Sequence, residues 1–541
     1  MRKPLWVILW LCAVGGCRSS PRSAVTDSPG IAPPPATGTE RGQPYRIAIL
    51  GDRTGEPNDR AFQRVLRDIE NLRPNLVVTV GDLVDDALDH TEWERILPML
   101  KTLSAPIEHT PGNHDVVDDA TAETFEALTG QKPYRALTKA GWRILIVDNS
   151  RAEFWEQLPE TQRNWLVDEL AAGEDAPTVV FMHKPFWAST VAQGQPDPMH
   201  ELFARYRVRH VVAGHWHQHN HGIFDGVQYT TIGTSGGGFS GLQQASRGNR
   251  YEHGWLELDG DTSNFTVVVD GQRLPLDHFT YRDQQFVRSL SPQVLAARLR
   301  RSAAGWELET RIQNPLKTPL RSELRVFGAR TVKPLPIELE TGQVYTQRFP
   351  VPASGSAYPL PTLEIDLPFP NGKLQPYRFL PVFERDLRMP LGVKPTLNGE
   401  FNTNEWDDAA TLEGFGNAAG KKSRAETTRV WLKYDREHIY FAARCVDARP
   451  DELHRIHFGR DGHVHYDDRI GMILAPSPTQ IFWFYVNPNG AVWDLSGDLE
   501  RKHFDRGWDG VVAAASIDEA GWTNPTLMGR LVLAPSRTME E

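Results

Sequence analysis

Short apolar runs alternate with amphipathic segments between residues 45 and 275, and this alternation predicts strands and helices in turn. The first run, Tyr45–Leu50, is followed by apolar residues at helical spacing from Phe62 to Leu72. Thr91 and Glu94 have the spacing of a capping box and predict the start of a second helix. Further strands are predicted at residues 76–80, from residue 107, and at residues 142–147, 178–182, 208–213 and 227–232. This part of the chain is therefore expected to have an α/β fold.

Polar clusters follow five of these predicted strands. They are Gly51-Asp52, Gly81-Asp82, Gly112-Asn113-His114-Asp115, His183 and Gly214-His215-Trp216-His217. Because open α/β sheets place their sites beyond the carboxyl ends of the strands, these side chains are expected to converge. A set of carboxylate, amide and imidazole ligands suits Fe, Mn or Zn and argues against calcium or magnesium alone. Two such ions with one shared ligand are suited to phosphoryl displacement.

The order of these motifs resembles that of the calcineurin-like metallophosphoesterases. The resemblance covers residues 45–275 and implies an α/β fold in which a four-layer-type β-sandwich is flanked by helices. Carried over to this chain, it implies that Asp82 bridges two metal ions. One ion would take Asp52 and His217, and the other Asn113, His183 and His215. His114 would stabilise the transition state or protonate the leaving oxygen, with Asp115 orienting its imidazole.

The first motif departs from the family pattern, which commonly has Asp-x-His where this chain has Asp52-Arg53-Thr54. Purple acid phosphatases also lack that histidine and use a side chain three residues after the bridging aspartate, which here is Asp85. We therefore hypothesise that Asp85, or more weakly Thr54, completes the shell of the first ion, or that this ion binds loosely. Arg53 is interpreted either as a contact to substrate phosphate or as a solvated surface residue.

Other polar and glycine-rich positions in this region are interpreted as structural. Packing is the expected role of His109, His210, His219 and His221. Gly233-Thr-Ser-Gly-Gly-Gly238 fits neither a GxGxxG nor a Walker pattern. It is interpreted as a tight loop, and one hypothesis is that its glycines permit close approach of the backbone to the site.

The first 44 residues have the composition of an export signal and a tether. Arg2 and Lys3 precede an apolar run that is too short to span a bilayer, and Val14-Gly-Gly-Cys17 resembles the bacterial lipoprotein lipobox. The prediction is a signal peptide over residues 1–17, lipid attachment at Cys17, a Ser/Pro-rich tether over residues 18–44 and a location in the bacterial cell envelope. A plain secretory signal is the alternative.

The second half of the chain has the period-two alternation of β-strands, with Pro and Gly between the segments. The last helical pattern is placed at residues 295–300. Residues 276–388 are predicted to form an immunoglobulin-like β-sandwich, and residues 389–541 resemble carbohydrate-binding family 9 or DOMON-like sandwiches, possibly truncated. Glycan is therefore a candidate partner, although Trp406 and Trp522 are interpreted as core residues.

Charge and cysteine content exclude two classes. The formal net charge is -10 and no Lys/Arg-rich block is present, so no nucleic-acid-binding surface is expected. The three cysteines, Cys12, Cys17 and Cys445, exclude a disulfide framework.

Taken together, the sequence and its resemblance predict an envelope-anchored, dinuclear-metal phosphohydrolase. It would cleave a phosphomonoester or phosphodiester by attack of a metal-bridging hydroxide. The alternative is a glycan-binding surface lipoprotein whose phosphoesterase scaffold is degenerate and inactive.

Overall fold

The fold was analysed in a computed structural model of the chain. The structure describes residues 43–55, 57–173, 176–239, 241–290, 294–302, 305–328, 333–351, 357–416, 420–421, 428–446, 450–501, 503–518 and 521–528. The predicted signal peptide, Cys17 and nearly all of the tether lie outside these residues. Within them, every helix is too short or too polar to cross a membrane.

The first part of the chain alternates strands and helices, as the apolar pattern predicts. In chain order its elements are β1 (Tyr45–Leu50), α1 (Asp59–Leu72), β2 (Leu76–Thr79), α2 (His90–Leu100), β3 (Ile107–Glu108), α3 (Asp119–Thr129), β4 (Arg135–Lys139), β5 (Trp142–Ile146), α4 (Glu160–Ala172), β6 (Thr178–Phe181), α5 (Pro198–Arg205), β7 (Val208–Ala213), β8 (Asn220–Phe224), β9 (Val227–Thr231), β10 (His253–Asp259), β11 (Thr262–Val269), β12 (Gln272–Pro275) and α6 (Tyr281–Ser289).

Two six-stranded sheets form the centre of this part. Their strand orders are β12-β11-β10-β1-β2-β3 and β4-β5-β6-β7-β9-β8. In the first sheet β1, β2 and β3 run parallel, and in the second β5, β6, β7 and β9 do so. Ile49 and Val78 of the first sheet share one buried cluster with Ile144 and Phe181 of the second. The two sheets therefore pack face to face. The carboxyl ends of their parallel strands lie in a common region.

Helices cover the outer faces of both sheets. Phe62 of α1, Trp93 of α2 and Phe125 of α3 are buried against the first sheet, and Leu166 of α4 and Phe203 of α5 against the second. The helical face predicted from residues 62–72 is thus confirmed. The predicted capping box of α2 is wrong, because Asp89 caps this helix by accepting a hydrogen bond from the Thr91 amide.

The middle part of the chain consists of β-strands. They are β13 (Leu295–Ser302), β14 (Gly305–Gln313), β15 (Leu320–Phe327), β16 (Leu335–Leu339), β17 (Val344–Val351), β18 (Thr362–Pro368), β19 (Leu374–Phe379) and β20 (Val382–Glu384). They form two four-stranded sheets, β17-β14-β13-β20 and β16-β15-β18-β19, around one shared apolar core. The helical interpretation of residues 295–300 is wrong, because this segment pairs along β14 as a strand.

The last part forms a second pair of sheets. Its strands are β21 (Ala410–Glu413), β22 (Arg429–Tyr434), β23 (Ile439–Val446), β24 (Ile470–Leu474), β25 (Gln480–Val486), β26 (Val492–Asp498), β27 (His503–Asp505), β28 (Val511–Ala513), β29 (Ser516–Asp518) and β30 (Gly521–Met528). The orders are β21-β22-β23-β30-β28, with β29 also on β30, and β24-β25-β26-β27. Trp406 is 2% exposed, which confirms its core role, whereas the Trp522 side chain is outside the described part.

The middle sheets are joined to the α/β part by paired polar contacts. The side chain of Gln244 accepts a hydrogen bond from the Arg378 amide and donates one to the carbonyl of the same residue. Ser246 donates to the carbonyl of Pro376, and Arg247 donates to the hydroxyl of Tyr377. Strand β19 is thereby held against the α/β part at a fixed register.

Candidate active site

The predicted ligands follow strands that end at the same side of the two sheets. Asp52 follows β1, Asp82 follows β2 and Asn113 follows β3, all in the first sheet. The other sheet supplies His183 after β6, and His215 and His217 after β7. The carboxyl ends of parallel strands lie along one edge of a sheet, so each sheet presents its own ligands to a shared cleft.

One group of ligand atoms surrounds the ring nitrogen Nε2 of His183. This atom lies 3.2 Å from Oδ2 of Asp82, 3.0 Å from Oδ1 of Asn113 and 3.1 Å from Nδ1 of His215. Asp82 and His183 are buried. The structure therefore brings together the set expected for one ion: Asp82, Asn113, His183 and His215.

A second group shares Asp82 with the first. Ligand atoms of Asp52, Asp82 and His217 all lie within 4.8 Å of one another. The hydroxyl of Thr54 lies 3.2 Å from Nε2 of His217 and 3.5 Å from Oδ2 of Asp82. Asp82 is thus the residue common to both groups, as expected for a bridging ligand.

Backbone carbonyls set the orientation of two of these imidazoles. Nδ1 of His183 lies 2.8 Å from the carbonyl oxygen of Val80, and Nδ1 of His217 lies 2.8 Å from that of Gly238. Because a carbonyl oxygen only accepts, each Nδ1 carries the proton. Nε2 of each ring is then left as the atom that a metal ion would bind.

Three of the predicted ligands have a left-handed backbone. The φ angles are 57° at Asp82, 69° at His215 and 51° at His217. Such conformations cost non-glycine residues about 1–3 kcal/mol each and persist where the surroundings enforce them. The surroundings of Asp82, His215 and His217 therefore hold the backbone in a conformation that these residues disfavour.

His114 and Asp115 are held differently from the sequence-based expectation. The carboxylate of Asp115 accepts hydrogen bonds from the amides of Asp82 at 2.7 Å, Leu83 at 2.9 Å and Gly112 at 2.9 Å. The prediction that Asp115 orients the His114 imidazole is therefore wrong. That ring is oriented by the carbonyl of Asp85, 2.6 Å from Nδ1, while Asp115 fixes the loop carrying Asp82.

The two interpretations of Arg53 are both wrong. Its side chain is fully buried, and its guanidinium donates to Asp59 at 2.7 Å and to the carbonyl of Leu83 at 3.2 Å. A buried arginine with these partners is neither solvated nor available to a substrate phosphate. It links the start of α1 to the segment after β2.

The structure favours Thr54 over Asp85 as the residue near the first ion. Oδ1 of Asp85 accepts the amide of Gly55 at 2.7 Å, and Asp85 is absent from the groups of ligand atoms that lie within 4.8 Å among the described residues. Thr54 lies inside the group formed by Asp52, Asp82 and His217. The position of the missing histidine is therefore filled by a hydroxyl.

Charge interactions in the cleft keep a carboxylate and an imidazole ionised in the metal-free protein. Burial opposes ionisation of Asp82, but His183 and His114 hold the pKa of its carboxyl well below the usual range. Burial also opposes charging of His183, yet Asp82 and Asp52 raise the pKa of its imidazole to about 9. Burial and the neighbouring His183 lower the pKa of His215 to about 3. The cleft therefore holds one proton on His183 at the place where a cation would bind.

The four histidines that the sequence did not assign to the metal site are buried in the fold. His109, His210, His219 and His221 are each less than 8% exposed. His219 uses both ring nitrogens, one towards Glu252 at 3.0 Å and one towards the carbonyl of Leu276 at 2.8 Å. The expectation that these four residues have a packing role agrees with this burial.

The glycine run after β9 allows close approach to the cleft. A Cβ atom on Gly237 would lie 2.4 Å from the carbonyl oxygen of Thr54 and 2.9 Å from Cε1 of His217. The hypothesis of close backbone approach is confirmed. Only a residue without a side chain fits between Thr54 and His217 here.

Sequence reasoning missed Asn149, which fixes the loop of His183. Its Oδ1 accepts the amides of His183 at 2.9 Å and Lys184 at 3.0 Å, and its Nδ2 donates to the Lys184 carbonyl at 2.7 Å. The signal was present, because Asn149 closely follows the strand β5 as other site residues follow theirs.

The donor set fits two metal ions. It offers carboxylate, amide and imidazole atoms with no thiolate, arranged in two groups that share one carboxylate. Nδ1–H bonds to carbonyls leave Nε2 of His183 and His217 as ligand atoms. Together with the two packed α/β sheets, this arrangement is that of a dinuclear metallohydrolase.

Comparisons with known proteins agree with this class. Residues 45–219 match the family model described as calcineurin-like phosphoesterase. The chain is 23% identical over 192 residues to a probable cyclic nucleotide phosphodiesterase of Moraxella catarrhalis, an alignment that covers 32% of this chain and 69% of the relative. It is 32% identical over 137 residues to the glycerophosphodiester phosphodiesterase GpdQ of Enterobacter lignolyticus, covering 24% of this chain and 47% of the relative.

Among solved structures, a purple acid phosphatase from yellow lupin seeds is similar, with a TM-score of 0.35 and 13% identity. The match covers 45% of this chain and 54% of the lupin enzyme.

Residues 45–219 form a calcineurin-like phosphoesterase domain. This domain supports a metal-dependent phosphoesterase, a hydrolase, and calcineurin-like phosphoesterases use a dinuclear divalent metal centre.

Proposed function

We propose that this protein hydrolyses a phosphodiester at the cleft between its two α/β sheets, with phosphomonoesters as poorer substrates. The observation that carries the proposal is Asp82, whose carboxylate belongs to both groups of ligand atoms. The preference for diesters is supported by the two curated relatives, each of which is named a phosphodiesterase.

Each side chain of the cleft has a defined task in this proposal. Asp82, Asp52 and His217 would hold one ion, and Asp82, Asn113, His183 and His215 would hold the other. The two ions would supply a nucleophilic hydroxide at neutral pH and neutralise the phosphoryl oxygens. His114, held by the Asp85 carbonyl, directs Nε2 towards the substrate and donates a proton to the leaving oxygen.

The donor set also bears on the identity of the ions. Three imidazoles, two carboxylates and an amide match the preferences of Fe, Mn and Zn better than those of Ca or Mg. The hydroxyl of Thr54 is a weaker donor than an imidazole. We therefore propose that the ion held by Asp52 and His217 binds less tightly than its neighbour.

The direct test measures metal content and hydrolysis together. The purified protein would be assayed for Fe, Mn and Zn, and for turnover of bis(p-nitrophenyl) phosphate and p-nitrophenyl phosphate. We expect close to two ions per chain and turnover that a chelator abolishes and added Mn²⁺ restores. Asp82→Ala should remove both the ions and the turnover.

Asp261→Ala is the matched control, because Asp261 is an exposed carboxylate in the turn between β10 and β11. It should retain both properties. A wild-type protein that stays inactive after reconstitution with Mn²⁺ or Zn²⁺ would contradict the proposal and favour a glycan-binding lipoprotein with an inactive scaffold.

We further propose that the protein is anchored to a bacterial cell envelope through a lipid on Cys17. Support comes from Arg2, Lys3, the apolar run and the Val14–Cys17 motif, followed by a Ser/Pro-rich segment of suitable length for a tether. Expression in a bacterial host should give a membrane-associated protein. Cys17→Ser should release it or block its processing, and unchanged membrane association of that variant would exclude the anchor.

The division of the chain at residues 275 and 388, and a glycan as ligand of the last part, are also proposals. They are supported by the two separate apolar cores of the middle and last pairs of sheets. Retardation of the protein in gels containing soluble polysaccharides would test the glycan. Migration that no polysaccharide changes would contradict it.

A further inference from the structure

A histidine-rich segment of the last part reaches the phosphoesterase domain. The segment at residues 454–467, here called the histidine loop, lies between β23 and β24 and contains four of the 18 histidines of the chain. Nε2 of His454 lies 3.5 Å from Oδ2 of Asp89, and Nε2 of His457 lies 3.8 Å from Oδ2 of Asp86. The loop thus contacts the segment that follows the bridging residue Asp82.

The histidine loop has a fixed shape of its own. Asp467 is 2% exposed, and its carboxylate accepts hydrogen bonds from the amides of Ile456 and His457, both at 3.1 Å. The same carboxylate lies 3.0 Å from Nδ1 of His457 and accepts a hydrogen bond from Nδ2 of Asn487 at 2.6 Å. A loop held by a buried carboxylate with four donors presents its other side chains in defined positions.

Three imidazoles of the loop form a row that starts at this contact. Ring centroids are 5.8 Å apart between His457 and His463, and 5.7 Å apart between His463 and His465. The row begins at Asp86, the neighbour of Asp85, whose carbonyl orients His114. The docked loop and the proton donor of the proposed reaction therefore share one anchoring segment.

The electrostatics agree with this placement. Burial lowers the pKa of His465 to about 4, and His114 is among the neighbouring positive charges that lower it further, together with His463 and Arg469. His463 is exposed and His465 is half-buried. Both rings are thus at least partly exposed, and the ring of His465 lies within electrostatic range of His114.

A metal ion at Asp86, His454 and Asp467 is a weaker interpretation of the same contact. Their ligand atoms lie within 4.8 Å of one another, but the oxygens of Asp467 are already used by four donors. The contact is better explained as a polar contact that holds the histidine loop against the segment at residues 85–89.

We propose that the histidine loop completes the active site. Docked on residues 85–89, the loop places His463 and His465 beside His114 at the rim, that is, the outer edge of the cleft. There their ring N–H groups donate hydrogen bonds to the polar substituent of the phosphate ester. This inference rests on the proposed function, since it assigns a substrate contact to the same cleft. It implies that the last pair of sheets has a part in substrate recognition, besides any glycan that it binds.

The first experiment tests the substrate contact on the full chain loaded with Mn²⁺. We expect His463→Ala/His465→Ala to raise KM for bis(p-nitrophenyl) phosphate roughly tenfold, the effect of losing one or two hydrogen bonds, with metal content and Tm unchanged. His463→Gln/His465→Gln, which keeps an N–H donor on each side chain, should recover part of the loss. His503→Ala, an exposed histidine of the same pair of sheets, should behave as the wild type.

Binding of (4-nitrobenzyl)phosphonate, which carries a nitro group as hydrogen-bond acceptor and is not hydrolysed, separates this inference from the proposed function. If the wild type binds it but has no turnover, the proposed function fails, and weaker binding by the double alanine variant still supports the contact. Equal KM and equal (4-nitrobenzyl)phosphonate affinity in wild type and double alanine variant would overturn the inference.

A second experiment tests the docking without any ligand. Hydrogen–deuterium exchange of the amides at residues 85–89 should rise several-fold in His454→Ala/His457→Ala, because the polar contacts that hold the loop over this segment are lost. Unchanged exchange there would show that the loop does not dock in solution and would also overturn the inference.

Discussion

The imidazole of His114 is held by the backbone carbonyl of Asp85, with 2.6 Å between Nδ1 and the oxygen. The carbonyl requires the proton on Nδ1, so Nε2 is the atom that faces the cleft. Although burial opposes charging, Asp82 and the Asp85 carbonyl raise the pKa of His114 above its usual range. A ring held in this way, with its charged form favoured by its neighbours, has the properties of a general acid.

Replacing His114 should therefore affect catalysis without affecting the metal centre. For His114→Gln we expect kcat to fall by about 10²–10⁴, the usual contribution of a positioned acid, with metal content unchanged. Steady-state kinetics and metal analysis of the same preparation measure both. His90→Gln, an exposed histidine at the start of α2, should leave kcat unchanged. Loss of metal in the His114 variant would point to a structural role instead.

Thr54 and Asp85 should differ in their effect on the first ion. Thr54→Val keeps the shape but removes the hydroxyl near His217 and Asp82, so we expect the weaker of the two ions to bind about tenfold less tightly. Thr54→Ser should bind as the wild type. Asp85→Asn should keep both ions, since its carboxylate bonds the Gly55 amide outside the ligand groups. Competition with a chelator measures the affinities, and the opposite ranking would restore Asp85 as the ligand.

Metal uptake should release the proton of His183. The folded, metal-free protein has a pKa of about 9 for this imidazole, above its ordinary value of 6.5, so the group is protonated at pH 7. An ion binds only the neutral ring, and its affinity should fall about tenfold per pH unit below about pH 9. Calorimetry of Mn²⁺ binding in buffers of different ionisation enthalpy should show at least one proton released at pH 7.5, that of His183, with a second from water when the hydroxide forms. Heats that are equal in all buffers would contradict this.

Arg53 should contribute to stability and not to substrate binding. Arg53→Met removes the fully buried cation between Asp59 and the buried Glu92, which keep only the partly exposed Arg95, and we expect the free energy of unfolding to fall by about 3 kcal/mol. KM of the folded fraction should not change. Arg64→Met, which breaks an exposed pair with Asp270, should cost less than about 1 kcal/mol in the same urea titration. A raised KM with normal stability would return Arg53 to the substrate site.

The sequence predicted the strands and the ligands that follow them, because both depend on local patterns. Buried strands such as residues 76–79 are short and mostly apolar, and a polar residue follows closely after each one in the sequence. The strand ends located the cluster of polar residues, and the resemblance to calcineurin-like metallophosphoesterases assigned six of them as ligands.

The partners of these ligands were harder to predict, because many are backbone groups that have no signature in the sequence. The carbonyls of Val80, Gly238 and Asp85 orient His183, His217 and His114, respectively. Asp115 was assigned to the wrong partner for the same reason, since it bonds backbone amides. Arg53 was misjudged because its burial results from the packing of α1 and α2 around it, which no local pattern specifies.

Asp89 and His454, which meet in the docked histidine loop, are 365 positions apart in the chain. Because a contact between such distant residues closes a long loop, it costs more chain entropy than the local contacts of the α/β part. The predicted metal ligands belong to that part and all precede residue 218, so they can come together before the histidine loop docks. With the proposed docking, the edge of the cleft is therefore the last piece of the site to be completed during folding.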